Sequence, residues 1–231
     1  MIVFGLLKGM ILMANTDKLY KSRVHIDGIL FEDTSLWSAR IINKFFNNTM
    51  QIGCTACAEI ELKITEPSVT FSRMAEIIPE VCLEGSDGPW EQLGVYYIDT
   101  RNVIKGRYRN LMQITGYDGM LKTSREIDFS SLTFPAKTSD VVVFIANYAG
   151  INIEQSTIDY LDNGTTIPKP EYYTGREVLG FIGVMHGGSF MMSNKGYLKF
   201  VSMSDVLGYE YRYLVTQDGT PILIGGEPIL V

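Results

Sequence analysis

Residues 174–201 decide the fold of this chain, and their sequence is TGREVLGFIGVMHGGSFMMSNKGYLKFV. Thr174 and Glu177 have the spacing of a capping box, in which each side chain satisfies a free backbone N–H at a helix start. Gly187 and Gly188 follow at the point where a left-handed residue would end the helix. The apolar residues between them recur at helical spacing and predict one buried stripe: Val178, Phe181, Ile182 and Met185.

The second half of the same stretch predicts a β-hairpin. Residues 190–201 contain two short apolar segments that flank Asn194-Lys195-Gly196, a sequence typical of a turn. An earlier stretch repeats the helix pattern: residues 140–145, DVVVFI, and then Gly150 match residues 177–182, EVLGFI, and then Gly187. We therefore predict a first helix over residues 138–148, which Gly150 ends.

Short strands bounded by turn residues fill residues 20–125. The clearest is residues 58–64, where Ile60, Leu62 and Ile64 face one side and charged residues face the other. The other predicted strands lie at residues 24–31 with a turn at Asp27-Gly28, and at residues 37–46, 80–83, 90–100 and 107–117. Residues 67–79 are predicted to be the connection between the strands at residues 58–64 and 80–83. Strands of this kind, without helices between them, predict an antiparallel barrel or sandwich.

We therefore predict a β-rich α+β fold in four parts. Residues 1–20 form an N-terminal arm or extension, and residues 21–125 form a first antiparallel β-barrel domain. Residues 126–203 form a small two-helix α+β insert domain, in which residues 151–158 are extended or a short helix. Residues 204–231 are strands that begin a second, incomplete barrel.

The N-terminal segment, residues 1–13, is apolar but too short to span a bilayer, and it lacks the basic leader of a secretory signal. Three interpretations remain open: a strand, a contact arm for a neighbouring subunit, or sequence upstream of a natural start at Met10 or Met13. The polar residues 14–20 favour the last two interpretations. No stable membrane insertion is expected.

Composition limits the classes of function. The chain has 231 residues, of which 46% are hydrophobic and 20% charged, as in ordinary globular proteins. Its net charge of −6 argues against sequence-specific binding of nucleic acid, which usually requires a basic face. That argument concerns the average charge and leaves room for a local basic patch.

The residue types that carry chemistry form no recognisable motif. Cys54 and Cys57 make a single C-x-x-C without the further ligands that a zinc site needs, and Cys82 stands alone. These cysteines are expected to be plain buried or half-buried thiols. Glu59 and Glu61 share one face of a strand beside a lysine, which indicates a solvated sheet surface rather than an acid–base pair.

The remaining candidates are two histidines and three aspartates. His25 lies in a predicted strand, and a protonated His186 would complement the dipole at the end of a helix. The aspartates could bind a cation, but their spacing is not that of a calcium loop: Asp99, Asp118 and Asp128. We therefore predict no catalytic, cofactor or metal site, no cofactor, and no enzyme activity.

Several motifs in their order resemble the hub proteins at the tail tip, or baseplate, of phages and prophages. The resemblance covers residues 22–231. It rests on the following stretches: MQIG at residues 50–53 followed by AEIELKI, VYYID at 95–99, MQITGYDGM at 112–120 with Lys122, the helix from Arg176 to Gly187, and the hairpin from Phe190 to Leu198.

The resemblance implies a homotrimeric ring of β-barrels that joins the tail tube to the tip or spike. It implies contacts with other tail proteins (a distal tail or tube protein, and a spike or fibre), location in the virion tail, and assembly in the bacterial cytoplasm. The chain departs from the family in length, because hub segments normally continue into a completed second barrel.

Two alternatives belong to other classes of function. One is a tail-associated cell-wall hydrolase, which would require two suitably separated carboxylates in a groove. The other is a receptor- or carbohydrate-binding module that uses aromatic side chains, and its candidates are Trp37, Trp90, Tyr96 and Tyr97. A barrel core or a subunit interface would also account for those aromatic residues.

Overall fold

The computed structural model describes residues 5–7, 10–12, 19–42, 52–83, 88–107, 109–203, 223–224 and 227–228. The predicted strands over residues 43–46 and 204–222 lie outside these ranges. The strands are β1 Gly5–Leu7, β2 Met10–Leu12, β3 Leu19–Ile26, β4 Ile29–Glu32, β5 Leu36–Ile42, β6 Glu59–Thr65, β7 Glu76–Leu83, β8 Glu91–Gln92, β9 Tyr96–Ile104, β10 Leu111–Asp118, β11 Ala136–Lys137, β12 Asn152–Ile153, β13 Thr166–Ile167, β14 Gly188–Met192, β15 Tyr197–Ser202, β16 Leu223–Ile224 and β17 Glu227–Pro228. The helices are α1 Thr138–Ala149, α2 Gln155–Leu161 and α3 Gly175–Met185, and a short 3-10 helix spans Gly119–Thr123.

The first ten strands form one antiparallel sheet in the order β1-β2-β3-β7-β9-β10-β6-β5, with β4 added to β3 and β8 added to β7. Alternation explains this sheet, since every second residue of β6 and β10 faces one side. Ile60, Leu62 and Ile64 are fully buried, as the sequence predicts, and Ile114 lies opposite Leu62. These side chains form the centre of the first hydrophobic core.

The predicted β-rich α+β fold is confirmed. Closure of the sheet into a barrel stays a prediction: β1 and β5 lie beside one another, but no backbone ladder joins them among the described strands. At the N-terminus, β1 and β2 form a hairpin that pairs with β3. Within residues 1–13 these two strands extend the sheet, as in the strand interpretation. The arm and upstream interpretations stay predictions.

A small module follows the sheet and has its own core, which α1, α3, β14 and β15 supply. Its three-stranded sheet has the order β12-β15-β14, in which β12 is parallel and β14 antiparallel to the central strand β15. The repeat seen in the sequence is visible here. Each of α1 and α3 is followed by a left-handed glycine, Gly150 or Gly187, and then by a strand that flanks β15.

Several local predictions for the module are confirmed. The capping box at Thr174 and Glu177 is present in both directions. The hairpin of β14 and β15 forms at the predicted place, and Gly187 has a φ of 67° directly after α3. The division of the chain into domains stays a prediction, although the buried apolar side chains do separate into two clusters.

Three details of the sequence prediction are wrong. The module has three α-helices rather than two, because residues 151–158 contain both β12 and the first turn of α2. Strand β7 begins at Glu76, inside the predicted connection. In an antiparallel strand the N–H and C=O of one residue point to the same side. The Pro79 carbonyl accepts from the Leu93 N–H, on the side away from β3, so the N–H that proline lacks is not needed for the pairing with β3.

The third error concerns the stripe on α3. The buried residues are Val178, Leu179 and Ile182, whereas Phe181 and Met185 are exposed. In the same way, Phe144 is half-buried and Tyr148 is exposed on α1. Helical spacing alone did not identify the buried face because both helices have apolar residues on more than one side.

The core of the sheet generates a first prediction. Replacing Ile114 with Ala should lower the free energy of unfolding by about 2–5 kcal/mol, because it leaves a cavity among fully buried side chains. Ile104→Ala is the matched control on the neighbouring strand, and it should change stability by less than about 1 kcal/mol because Ile104 is exposed. Urea denaturation measures both values, and equal losses would contradict the assignment of the core.

Candidate functional site

The sheet and the module meet along residues 52–58, which we call the strap. The Gly53 N–H donates to the Gly188 carbonyl oxygen at 2.8 Å, and the Cys54 N–H donates to Ser189 Oγ at 3.1 Å. Arg176 Nε, near the start of α3, donates to the carbonyl oxygen of Thr55 at 2.7 Å. The strap therefore holds both α3 and the outer edge of β14 before the chain enters β6.

Three glycines let the strap approach α3 closely. A Cβ on Gly53, whose φ is 79°, would lie 2.5 Å from Val184 Cγ2 and 2.6 Å from the Gly180 carbonyl oxygen. A Cβ on Gly183 would lie 3.0 Å from the Cα of Gly53. Glycine inside a helix destabilises it by about 0.5–1 kcal/mol relative to alanine. The close contact with the strap explains why Gly180 and Gly183 nevertheless occur in the interior of α3.

Asp118 fastens the other end of the strap. Its Oδ2 accepts from the Ala58 N–H at 2.9 Å, and its Oδ1 accepts from the Met120 N–H at 3.0 Å. The same side chain thus ends β10, caps the 3-10 helix and binds the strap. The two bonds use both carboxylate oxygens, so a residue with only one acceptor cannot make both.

Burial raises the pKa of Asp118 from 3.8 to about 6, because only 5% of this residue is exposed to solvent. Its two backbone hydrogen bonds and the positive charge of Arg176 act in the opposite direction and offset part of that rise. A carboxyl group with such a pKa is often found in catalytic sites. Here its oxygens are occupied by backbone donors, which indicates a structural role.

A cavity of about 150 Å³ lies beside Asp118. Its walls are mainly apolar and come from the strap, the start of β9 and the β14–β15 hairpin; they include Ala56, Tyr96, Met191, Met192 and Asn194. Burial also raises the pKa of Tyr96, so its hydroxyl stays protonated at neutral pH. The cavity therefore offers no ready nucleophile or base.

The two histidines are far apart in the fold. His25, on β3, has its Nε2 3.2 Å from the Glu80 carboxylate, which also binds Arg23 at 2.6 Å. His186 ends α3, and its ring contacts Thr138 Oγ1 at 3.0 Å and Asn163 Nδ2 at 3.3 Å. Burial lowers the pKa of His186. This burial therefore disfavours the protonated ring that would complement the dipole at this helix end.

The three aspartates are also separate. Asp99 pairs with Arg73 at 3.0 Å, and Asp128 accepts from the backbone and hydroxyl of Ser130. Across the described ranges, no group of three or more His, Cys, Asp or Glu side chains could hold a metal ion. Glu61 pairs with Arg40 at 3.3 Å on the outer side of β6. Within the same ranges no disulfide joins the cysteines, of which Cys54 is buried and Cys57 and Cys82 are half-buried.

The four aromatic candidates are not brought together in one row. Tyr96 is buried in the core of the sheet, and Trp90 lies under the guanidinium of Arg23 at 4.1 Å. Tyr97 lies under the Lys122 ammonium at 3.6 Å. Trp37 is exposed on β5 and donates to Thr65 Oγ1 at 3.2 Å. An aromatic platform for a sugar would need several such rings side by side.

Sequence reasoning missed one surface. Phe181, Val184 and Met185 lie along α3 and are each more than half exposed, so this helix is apolar on its outer side as well as its inner side. The signal was present in the sequence, since α3 contains only two charged residues, both in its first turn. Contiguous exposed apolar side chains are typical of surfaces that contact other molecules.

Two solved structures resemble this molecule. The prophage MuSo2 43 kDa tail protein from Shewanella oneidensis aligns with a TM-score of 0.55 over 82% of this chain and 56% of that protein, at 14% identity. This chain shares its fold with tail proteins. A tail protein from Neisseria meningitidis MC58 aligns with a TM-score of 0.51 over 88% of this chain and 54% of that protein, at 12% identity.

The chain spans little more than half the length of both tail proteins. No protein-family model and no curated protein matches its sequence. Within the part of the chain that the structure describes, none of the helices has the length and apolar character needed to cross a bilayer.

The strap generates a second prediction for this tail-protein fold. Gly53→Ala should destabilise the protein by more than about 2 kcal/mol, because the added methyl group collides with α3 in addition to straining a left-handed residue. Gly28→Ala is the matched control: Gly28 has the same φ of 79° but open space around it, so only the strain of about 1–2 kcal/mol remains. Urea denaturation would contradict the close contact if both variants lost the same stability.

Asp118 generates a third prediction, on pH. Because its pKa is raised in the folded state, the folded chain binds more protons than the unfolded chain between about pH 4 and pH 6. The stability from this group is therefore present at low pH and is lost as the pH rises through about 6. The difference in the free energy of unfolding between the wild type and Asp118→Asn should be about 1 kcal/mol more in favour of the wild type at pH 5 than at pH 7.5.

Urea denaturation of both proteins at the two pH values measures that difference. All other titratable groups are present in both proteins, so their contributions cancel. A difference that is constant with pH, or larger at pH 7.5, would contradict the raised pKa of Asp118.

Proposed function

We propose that this protein is a structural component of a phage or phage-like tail, and that it acts at the tail tip or baseplate as a hub that joins the tail tube to the tip or spike. The observation that carries the proposal is the fold likeness to two tail proteins, which extends over more than four fifths of the chain. The order of motifs along residues 22–231 supports the hub role within the tail.

The geometry of the candidate site supports a function based on contacts rather than catalysis. Asp118 has a raised pKa, but both of its carboxylate oxygens accept hydrogen bonds, one from the strap and one from the 3-10 helix. The cavity beside it lacks a nucleophile paired with a base. We therefore propose that the protein is not an enzyme, and that the junction at the strap keeps sheet and module in a fixed relation for assembly.

The proposal includes partners and location. The protein assembles in the bacterial cytoplasm as a homotrimer and binds other tail proteins: the distal tail or tube protein on one side and a spike or fibre on the other. It becomes part of the virion tail. The exposed apolar side of α3 supports this assembly role, because a helix that is apolar on all sides is usually covered in its working state.

A fourth prediction tests this function. Antibodies raised against the purified chain should label phage particles or tails from cells that carry its gene, and the gold label should lie at the distal end of the tail in electron micrographs. Pre-immune serum is the control for background. Label along the whole tube would contradict the hub role, and intact tails without label would contradict a place in the tail.

A further inference from the structure

The hairpin between β9 and β10 ends in a part that none of the other described strands covers. On the β7 side, the described backbone contacts of β9 end at Ile98, whose N–H donates to the Ala75 carbonyl oxygen. On the other side, β6 ends at Thr65, opposite Leu111. Residues 100–107, 109 and 110 are all exposed. The end of this hairpin therefore projects from the sheet.

This projecting end is strongly basic. It carries four positive residues, which we call the basic finger: Arg101, Lys105, Arg107 and Arg109. No acidic residue lies between positions 100 and 110, although the whole chain has a net charge of −6. A fifth of all the lysines and arginines thus lie in fewer than ten residues. The basic finger is the local basic patch that the average charge conceals.

Apolar residues accompany the basic ones. Val103 and Ile104 are 46% and 42% exposed and lie opposite Met112 and Leu111 in the ladder with β10. Basic residues on a free strand edge discourage aggregation, and that role alone would explain the charges. It does not explain why large apolar side chains stand in solvent between them. Charge together with apolar area is the composition of a contact surface.

The opposite charge lies on the module. Residues 126–175 contain seven acidic and two basic residues. The acidic face around α2 consists of Glu154, Asp159 and Asp162, and residues 152–163 include no basic residue. Tyr160, on the same helix, is 45% exposed and stacks on Phe200. Lys137 neutralises only Asp162, at 2.9 Å. Arginine side chains bind both carboxylates and the faces of such rings.

The basic finger lies at the end of β9 that is remote from the cavity between sheet and module. Strand β9 starts beside that cavity, since Tyr96 lines it, and it runs away from it to Ile104. Eight residues of strand separate Tyr96 from Ile104 by about 26 Å. The finger is therefore exposed at the other end of the strand.

We propose that the basic finger binds the acidic face around α2 of a second copy of this chain. The contact joins two different surfaces, so it is head-to-tail and closes into a ring when the rotation between copies permits. It rests on the proposed function, because it names the contact that would build the hub. Both surfaces come from one acidic chain, and the finger offers its copies a cluster of the opposite charge.

Nucleic acid is the other ligand that four basic residues would attract. The observations favour a protein partner for two reasons. The remainder of the chain is acidic and would repel phosphates, and Val103 and Ile104 have no counterpart on a phosphate backbone. An attraction between oppositely charged protein surfaces should weaken as salt increases.

The test is a charge-reversal cycle on the full chain. One variant reverses the finger (Lys105→Glu with Arg109→Glu), a second reverses the face (Glu154→Lys with Asp159→Lys), and a third combines all four substitutions. The matched control, Lys21→Glu with Lys63→Glu, makes the same change in net charge at exposed positions elsewhere on the sheet. Glu154 makes no side-chain capping bond at the start of α2, so its replacement removes none.

Light scattering and sedimentation equilibrium over a concentration series, at low and high salt, measure association. The wild type should form a closed oligomer, with three times the 25.9 kDa chain mass for a trimer. Each single-surface variant should associate at least about tenfold more weakly. The combined variant should recover to within about threefold of the wild type, and the control should be unchanged.

Several outcomes would overturn the proposal. A wild type that is monomeric at every concentration, a combined variant that does not recover, or a control that weakens as much as the finger variant would each do so. So would a finger variant that associates normally but loses the wild type's binding to a fluorescent DNA duplex. Circular dichroism and thermal melting confirm that each variant is folded.

The result separates the contact from the function. Gold label at the tail tip together with a failed cycle would reject the basic finger and retain the hub. A successful cycle with tails that carry no label would reject the hub and retain the contact between copies.

Discussion

The close approach of the strap to α3 at Gly53, Gly180 and Gly183 is the contact on which the rest of the structure depends. Two separate hydrophobic cores lie on either side of it, and residues 52–58 join them through hydrogen bonds to β14 and α3. Backbone packed against backbone leaves little room for relative movement.

Asp118 adds an electrostatic constraint to that junction. A carboxylate that accepts two backbone N–H groups is a precise link among β10, the 3-10 helix and the strap. Its burial makes the charged form costly in the folded state and raises its pKa, although the two hydrogen bonds themselves favour the carboxylate. The raised pKa of Asp118, which would be typical of a catalytic residue, is thus explained by its buried position in the junction.

The sequence predicts those parts of the fold that local patterns control. Alternation located β6, the capping box located the start of α3, and Asn194-Lys195-Gly196 located the turn of the last hairpin. It did not identify which side of α3 is buried, because Phe181 and Met185 are as apolar as Val178 and the packing of the helix on the module core decides between them. The junction itself brings Thr55 to Arg176, 121 residues apart, and no local pattern reports such a contact.

The order of strands in the module has a consequence for synthesis of the protein. The central strand β15 comes last, while its two neighbours β12 and β14 and both packing helices come earlier in the chain. Phe200 on β15 even supplies the N–H that satisfies the buried Thr157 hydroxyl of α2. While a ribosome is still adding residues before β15, the emerging module has two strand edges and a helix face without their shared partner. The module therefore completes its sheet only when residue 202 has left the exit tunnel. Slower elongation lengthens the time for which the edges of β12 and β14 are exposed to aggregation.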